Sequence, residues 1–500
     1  MKKNYTTIVL VLVVFLSVKS YGQLTESWSY ILPDKVAYSG PAIADDGTIY
    51  IACDFGTRES LTYETSPENI FAINPNNTLK WQGHVNEGST QVKVDQVISS
   101  PSINADGSVY ISGHYGRRVH RFNAVSGDTL RTFYMDSRVR YSAPAFSSNG
   151  EVYIATRNNG DKGLRNFSTD LTTQNWIFET GTDFNSVPAI GSDGTIYAIS
   201  TNGNIYAINA DGSQKWVAPY SAGGGYASSA IAIASDGTIY ASAKLNSDGD
   251  GVLKAYNPAD GTEKWSVTFT GENTEKGGPA VAADGTVYLG NTGGKMHAFN
   301  PTNGAILWTY NTSANAAIEV VPAIDNLGRL YFGDTNGMFY VLNSDGTEAY
   351  SPLSLGTKIT SPATIHSDGT IYVGVETASA GKLSALTTSA TGLQLGGWPM
   401  YGKNAKHTSN VNAIVLSVRS ENKIEGLKIY PNPVDNKGFY IESSSNQEKS
   451  IQIFDVLGKI VFSKIINGKE KIETQNLKSG IYLIKVLESN KSATSKLIIK

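Results

Sequence analysis

Residues 278–290 read Gly-Pro-Ala-Val-Ala-Ala-Asp-Gly-Thr-Val-Tyr-Leu-Gly, and residues 295–308 read Lys-Met-His-Ala-Phe-Asn-Pro-Thr-Asn-Gly-Ala-Ile-Leu-Trp. A short apolar run stops at Asp284-Gly285. Such a pair signals a type I′ hairpin, whose two central residues both need positive φ. Residues 286–289 then alternate as a half-buried strand does. A third strand at 295–299, a turn at Asn303-Gly304 and a fourth strand carrying Trp308 complete the unit. Four short antiparallel strands in one repeat make a propeller blade.

The unit recurs along the chain. Asp-Gly or Asn-Gly hairpins place glycine at Gly47, Gly107, Gly150, Gly194, Gly237, Gly285 and Gly369, with Leu327-Gly328 as a degenerate copy. Each is followed by an apolar residue and then tyrosine: Tyr50, Tyr110, Tyr153, Tyr197, Tyr240, Tyr288, Tyr331 and Tyr372. The fourth strand is marked by Trp81, Trp176, Trp216, Trp265 and Trp308, with Phe133 and Tyr350 in place of tryptophan in copies two and seven. Copy eight lacks such a residue, whereas an orphan strand around Trp28 precedes copy one. Ring closure explains both facts: the Trp28 strand becomes the outer strand of the last blade, leaving no open sheet edge. The expected fold is all-β, an eight-bladed β-propeller with seven blades as the alternative, followed by a small antiparallel β-sandwich.

Residues 255–265, Ala-Tyr-Asn-Pro-Ala-Asp-Gly-Thr-Glu-Lys-Trp, recur at 298–308 with the same spacing and at 72–81 and 207–216 with one residue fewer. This pattern resembles the tryptophan-docking motif of pyrroloquinoline-quinone (PQQ) repeat propellers. The resemblance implies that each indole docks on the neighbouring blade, where Ala and Gly leave room. It covers residues 28 to about 387 and implies a fold; function must be argued from a site. Residues 392–407, which include Trp398-Pro399-Met400-Tyr401-Gly402, resemble a segment that in secreted members of this family often precedes the ring. Here it follows the last blade, and folding across one end of the ring is its expected role.

Lys2 and Lys3, an apolar run at 8–16 and the small residues Ser20 and Gly22 form a secretory signal peptide over residues 1–22, with the mature chain expected to begin at Gln23. No other apolar run approaches the ~20 residues of a membrane span. The single cysteine, Cys53, lies at a strand end and reads as a buried thiol. Net charge is −3, unevenly divided: residues 1–22 carry +3, residues 426–500 carry +5, and the body between them about −11. An acidic body excludes general nucleic-acid binding, which needs basic surface to release counterions.

The propeller is assigned to 23–410 and a polar linker to 411–425. Residues 426–500 carry Leu427-Lys428-Ile429-Tyr430-Pro431-Asn432-Pro433, an apolar strand at 451–454 leading to Gly458-Lys459, and Ser479-Gly480-Ile481-Tyr482-Leu483. Alternation and glycine turns predict about seven antiparallel strands. These motifs resemble the type A sorting domain of the type IX secretion system. The resemblance implies that the chain's partner is that secretion machinery. It further implies passage across both membranes of a Gram-negative bacterium, tail removal, and release or attachment at the cell surface.

The PQQ resemblance raises a quinoprotein dehydrogenase as the alternative function. Such enzymes use a vicinal disulfide, which one cysteine cannot make, and a calcium held by acidic and amide side chains. No cofactor is expected, with PQQ and calcium as the groups to test. The only metal-like clue is Asp248 and Asp250 in a glycine-rich turn, without the glutamate that ends a full calcium loop. His120 and His297 share a repeat position with Phe71 and Tyr206, so they read as strand residues. No catalytic motif emerges.

One distribution departs from the repeat. Eight of eleven arginines lie between positions 117 and 165. Arg117 and Arg118 fall in a loop joining strands two and three, and Arg138 and Arg140 in a loop joining one blade to the next. Loops of these two kinds share a face of a propeller. With His114, Tyr115 and Tyr141 they form a candidate site for carboxylate or sulfate groups, which suit the planar guanidinium, and for sugar faces, which suit tyrosine. The competing reading is a set of solvated or internally paired charges beside Asp128, Asp136 and Asp161. The sequence favours a secreted or cell-surface binding or scaffold module, with a glycan or protein as partner. A secreted enzyme with a dispersed site is the other class.

Overall fold

A computed structural model describes residues 24–54, 68–85, 95–158, 160–219, 230–245, 247–412, 424, 426–434, 438–454, 460–473, 477–488 and 491–499. The signal peptide, most of the linker, the 55–67 loop and the glycines 223–225 lie outside these residues. No helix among the described residues is long and apolar enough to cross a membrane.

Each of the eight copies forms one four-stranded antiparallel sheet, here called blades 1 to 8, with strands A to D in sheet order. Blade 6, the copy quoted above, comprises Ala280–Val281, Val287–Gly290, Lys295–Phe299 and Ile306–Asn311. The B strands are buried on both faces: Val287–Gly290, Ile49–Ala52 and Leu330–Gly333 have no exposed residue. D strands alternate towards solvent, as outer strands must.

The hairpin differs in one detail from the type I′ expectation. Gly285 takes φ 91°, while Asp284 is not among the residues of positive φ. The Gly285 N–H donates to Ala282 O (3.0 Å) and the Ala282 N–H to Thr286 O (2.9 Å), so the loop holds three residues and only its last is left-handed. The reason is the aspartate side chain. Asp284 Oδ1 accepts from the Thr286 N–H at 2.9 Å, which fixes Asp284 in an ordinary turn conformation and leaves the positive φ to glycine. Blades 1, 4 and 5 repeat the Asp-to-Thr bond at 2.9–3.0 Å.

Blades dock through the expected indoles. The Trp81, Trp176, Trp216, Trp265 and Trp308 Nε1–H groups donate to Ala124, Ala210, Pro258, Pro301 and Ser344 carbonyls of the next blade, at 2.8–3.0 Å. Each indole lies on a turn glycine of that blade. At Gly304 (φ 73°) an added Cβ would sit 2.6 Å from the Trp265 ring. In blade 2, Phe133 packs edge-on against Phe167 of blade 3, with centroids 4.9 Å apart. In blade 7, the Tyr350 hydroxyl accepts from the Ser389 N–H at 3.0 Å.

Closure follows the predicted route. The first strand, Thr25–Leu32, pairs with Gly381–Thr387 as the D strand of blade 8. Trp28 stands 5.7 Å from Tyr372, the distance that separates Tyr288 from Trp308 in blade 6. Blade 8 meets blade 1 through Thr364 Oγ1, which donates to Pro41 O, and Ser361 Oγ, which donates to Ser39 O at 2.8 Å.

Residues 393–412 cross one end of the central channel. The N–H groups of Ile43, Ile103, Phe146, Ile190, Val281 and Ile324, all in A strands, donate to the carbonyls of Ala405, Lys406, Thr408, Ser409, Trp398 and Pro399 at 2.7–3.0 Å. The other two blades are met through side chains: Ser235 accepts from the Gly397 N–H (3.3 Å), and Thr364 bonds His407 Nε2 (3.3 Å). Trp398, Met400 and His407 are at most 1% exposed. A channel lined by backbone donors would leave them unpaired, so this segment satisfies what the ring cannot.

Among the described residues of the tail there are seven strands. Lys428–Tyr430, Phe439–Glu442 and Glu470–Ile472 make one sheet, and Ile460–Asn467, Glu448–Phe454, Gly480–Glu488 and Lys491–Ile499 the other. Phe439, Ile441, Ile451, Ile453, Ile484, Val486 and Leu497 form their shared core.

Candidate functional site

The end of the channel opposite residues 393–412 is built from two kinds of loop, those joining D to the next A strand and those joining B to C. Three residues before the proline that opens several A strands, the repeat is free to vary. There stand Tyr38, Tyr141, Lys276 and Glu319, from the approaches to blades 1, 3, 6 and 7. These four converge on a shallow recess lined also by Val187, Thr360 and Tyr401, with room inside for about 30 Å³. The Tyr38 hydroxyl donates to Glu319 Oε2 at 2.8 Å, and Lys276 Nζ donates to Tyr38 Oη at 2.8 Å and pairs with Glu319 at 3.2 Å. Burial, reinforced by the Glu319 charge, pushes the Tyr38 phenol well above its ordinary pKa, so it remains a donor.

Tyr38 and Tyr141 meet edge to face at 5.0 Å. Both take left-handed backbone conformations, with φ 56° and 60°. For a tyrosine this costs roughly 1–3 kcal/mol, a strain that persists where surrounding structure over-determines it, commonly at ligand clamps.

Arg140 lies over the Tyr141 ring at 4.9 Å and Arg138 over the Tyr115 ring at 4.7 Å. Neither guanidinium makes an ion pair with a carboxylate of the described residues, and the Nε atoms of both are buried without a hydrogen-bond partner. The His114 ring lies tilted against Tyr115 (centroids 4.2 Å), and its Nδ1 meets Gln96 Oε1 at 3.0 Å. The turn presenting this pair is set by buried Asp95, which accepts from the N–H groups of Tyr115 (2.7 Å) and Gly116 (2.9 Å). Burial, with the charges of Arg140, Arg157 and Arg138, holds the His114 pKa down to about 3. His114 is therefore neutral in a cationic surround.

Five of the sequence-derived residues thus come together: His114, Tyr115, Arg138, Arg140 and Tyr141. Arg117 and Arg118 do not join them. Arg117 donates to Asp136 O (3.3 Å), while Arg118 donates to Gly116 O (2.8 Å) and covers Tyr134 on an outer strand. The competing reading holds for other arginines: Arg121 pairs with Asp106 at 2.8 Å and Arg165 with Asp136 at 2.5 Å. Arg157 joins the cluster. Its backbone exchanges hydrogen bonds with that of Arg138 (2.8 and 2.9 Å), its Nε lies 3.7 Å from Asp183, and its Nη1 is buried without a partner. Aligning the copies on their prolines would have exposed Tyr38, Lys276 and Glu319, since nothing in blade geometry demands charge or aromatics there.

Residues 161–393 match the family model described as outer membrane protein assembly factor BamB, and residues 428–500 that of the secretion system C-terminal sorting domain. The chain therefore carries a PQQ-like repeat domain and a sorting tail of the type IX kind, and the tail marks it for export. Among solved structures, BamB from Moraxella catarrhalis is 18% identical and covers 73% of this chain and 100% of its own, with a TM-score of 0.54. A europium-containing methanol dehydrogenase is 11% identical over 73% of this chain and 93% of its own, at TM-score 0.57. The quinohemoprotein alcohol dehydrogenase from Comamonas testosteroni is 13% identical over 73% and 76%, at TM-score 0.53. At these identities the likeness is one of fold. No curated protein matches this chain in sequence.

The dehydrogenase likeness makes a cofactor a question for the recess itself. A hard cation takes several oxygen ligands. The recess offers one carboxylate, Glu319, already engaged by Lys276 and Tyr38. Among the described residues no three of His, Cys, Asp and Glu converge, Asp248 and Asp250 included. Asp250 instead accepts from the Gly271 N–H at 2.7 Å. Cys53 is wholly buried, its thiol pushed up by burial. The donor set does not fit the metal-and-disulfide centre that the PQQ resemblance implies.

Proposed function

We propose that this chain is an exported binding module whose ligand carries carboxylate or sulfate groups, held over blades 2 and 3 by Arg138 and Arg140. The observation that carries this reading is the pair of half-buried guanidiniums without a carboxylate among the described residues. Partly buried cations are normally paired, and here a third arginine, Arg157, and a neutral histidine stand beside them. Tyr115 and Tyr141 give each guanidinium a ring face, which orders it for bidentate contact with a planar anion. The sorting tail supports a site of action outside the cell, released or held at the surface of a Gram-negative bacterium, where acidic glycans and proteins are the accessible anions.

A glycan array tests the reading. Binding is expected on carboxylated or sulfated glycans, and it is expected to disappear with Arg138→Ala plus Arg140→Ala. Binding that survives the double substitution contradicts it.

A further inference from the structure

We infer that the secretion machinery reads the tail through one face, the outer side of its four-stranded sheet, and meets it with an apolar, uncharged surface. The inference rests on the sorting-domain match and is independent of the anion-binding reading.

Alternation along the strands defines the face. Ile453, Ile484 and Leu497 point into the shared core, so their chain neighbours point outwards. Phe454 stands opposite Leu483, and Ile481 opposite Ile498. Val461, next to the inward Phe462, adds a fifth apolar side chain from the strand that pairs with 448–454. Ile481 is 51% exposed, Leu483 45% and Val461 37%, while Phe454 and Ile498 are half-buried. A sheet with one face in water ordinarily alternates apolar-in and polar-out. The middle of this sheet obeys, with Gln452 flanked by Ser463 and Lys485. The five apolar residues beside it do not.

The other outer face of the tail shows the contrast. There Tyr430 and Tyr440 stack at 5.9 Å, and Lys469 lies over both rings at 5.3 and 5.7 Å. The Tyr430 hydroxyl donates to Glu442 at 2.7 Å, and Lys469 pairs with the same carboxylate at 2.9 Å. These groups engage one another, whereas the apolar patch is left to solvent. The Tyr430-Pro431-Asn432-Pro433 motif bears on how a partner meets that patch. The Ile498 N–H donates to Asn432 Oδ1 at 2.9 Å, and the Val434 N–H donates to Ile498 O at 2.7 Å. The sheet edge beside Ile498 is thus occupied, so a partner meets side chains there and does not add a strand.

Size and family select the occupant. The patch offers on the order of 400 Å², a size at which exposed apolar area is commonly functional, and about half of what each partner of a lasting complex buries. A second copy held by this patch alone would not persist. A sorting signal, by contrast, must be bound and then let go, which a small apolar contact allows.

Export of the full chain in a bacterium with a type IX system tests this. Ile481→Thr plus Leu483→Thr keeps strand-forming residues at exposed positions. It should lower the exported fraction at least tenfold, with the propeller accumulating in the periplasm and the protease resistance of the tail unchanged. If the pair unfolds the tail, the isosteric Val461→Thr decides alone, with a severalfold loss expected. Tyr440→Thr, on the opposite face, should leave export within twofold of wild type. Export within twofold for the folded patch variants, or an equal loss with Tyr440→Thr, overturns the assignment of the face. A dimer of the full chain in light scattering that Ile481→Thr plus Leu483→Thr splits overturns the choice of occupant. Export that persists without residues 426–500 overturns the face and the sorting role together.

Discussion

The two ends of the channel are made from the same repeat and solved in opposite ways. At the floor, residues 393–412 meet the A strands with backbone carbonyls, and buried His407 is bonded on both ring nitrogens, to Pro101 O (2.9 Å) and Thr364 (3.3 Å). At the mouth, Arg138 Nε, Arg140 Nε and Arg157 Nη1 are buried with no hydrogen-bond partner among the described residues. The A-strand N–H groups named above are satisfied at the closed end, whereas these guanidinium atoms lack partners among the described residues, as the ligand site proposed above would require. The difference separates assembly from function in a chain whose repeats otherwise blur the two.

The comparison breaks most readily at the floor. Trp398 is 1% exposed and packs in the core shared by blades 4 to 6. Trp398→Ala should cost about 3–5 kcal/mol, as large-to-small changes in packed cores do. Chemical denaturation measures it, and a loss below about 1 kcal/mol would show that the segment is an ornament on a self-sufficient ring.

Acid should act on both ends but for different reasons. Burial holds His407 near pKa 4, whereas the arginine charges help burial hold His114 near 3. An unfolded histidine takes up its proton near pH 6.5, which the folded chain refuses until these lower values. Stability therefore falls as pH drops from about 6.5 towards 4, by up to about 1.4 kcal/mol per pH unit for each such histidine. An NMR titration of wild type and the Arg138→Ala, Arg140→Ala variant sharpens the contrast. His114 should move up towards its ordinary value and His407 stay where it is. Equal movement of both would mean that the arginine field is not local to the mouth.

Most of the architecture was legible because blade formation makes strict local demands. Turn glycines, the buried tyrosine of strand B and the docking indole recur at fixed spacing, and the orphan Trp28 strand betrays the closure. The turn type was misread because glycine was weighed without the aspartate that bonds Thr286. The site was half legible. An excess of arginine shows in the sequence, but which guanidiniums are paired is decided by partners far along the chain, such as Asp183 for Arg157. The Tyr38, Lys276 and Glu319 recess is assembled across the ring from residues up to 281 positions apart, and only an alignment of the copies on their prolines would have pointed to it.

The smallest expected effect bears most directly on the central claim that the charges at the mouth serve a ligand rather than the fold. Denaturant unfolding of the Arg138→Ala, Arg140→Ala protein should give a stability within about 1 kcal/mol of wild type, because only two ring contacts and some alkyl packing are lost. A loss above about 3 kcal/mol, the cost of breaking a buried ionic network, would show that these arginines hold the propeller together and would contradict the account.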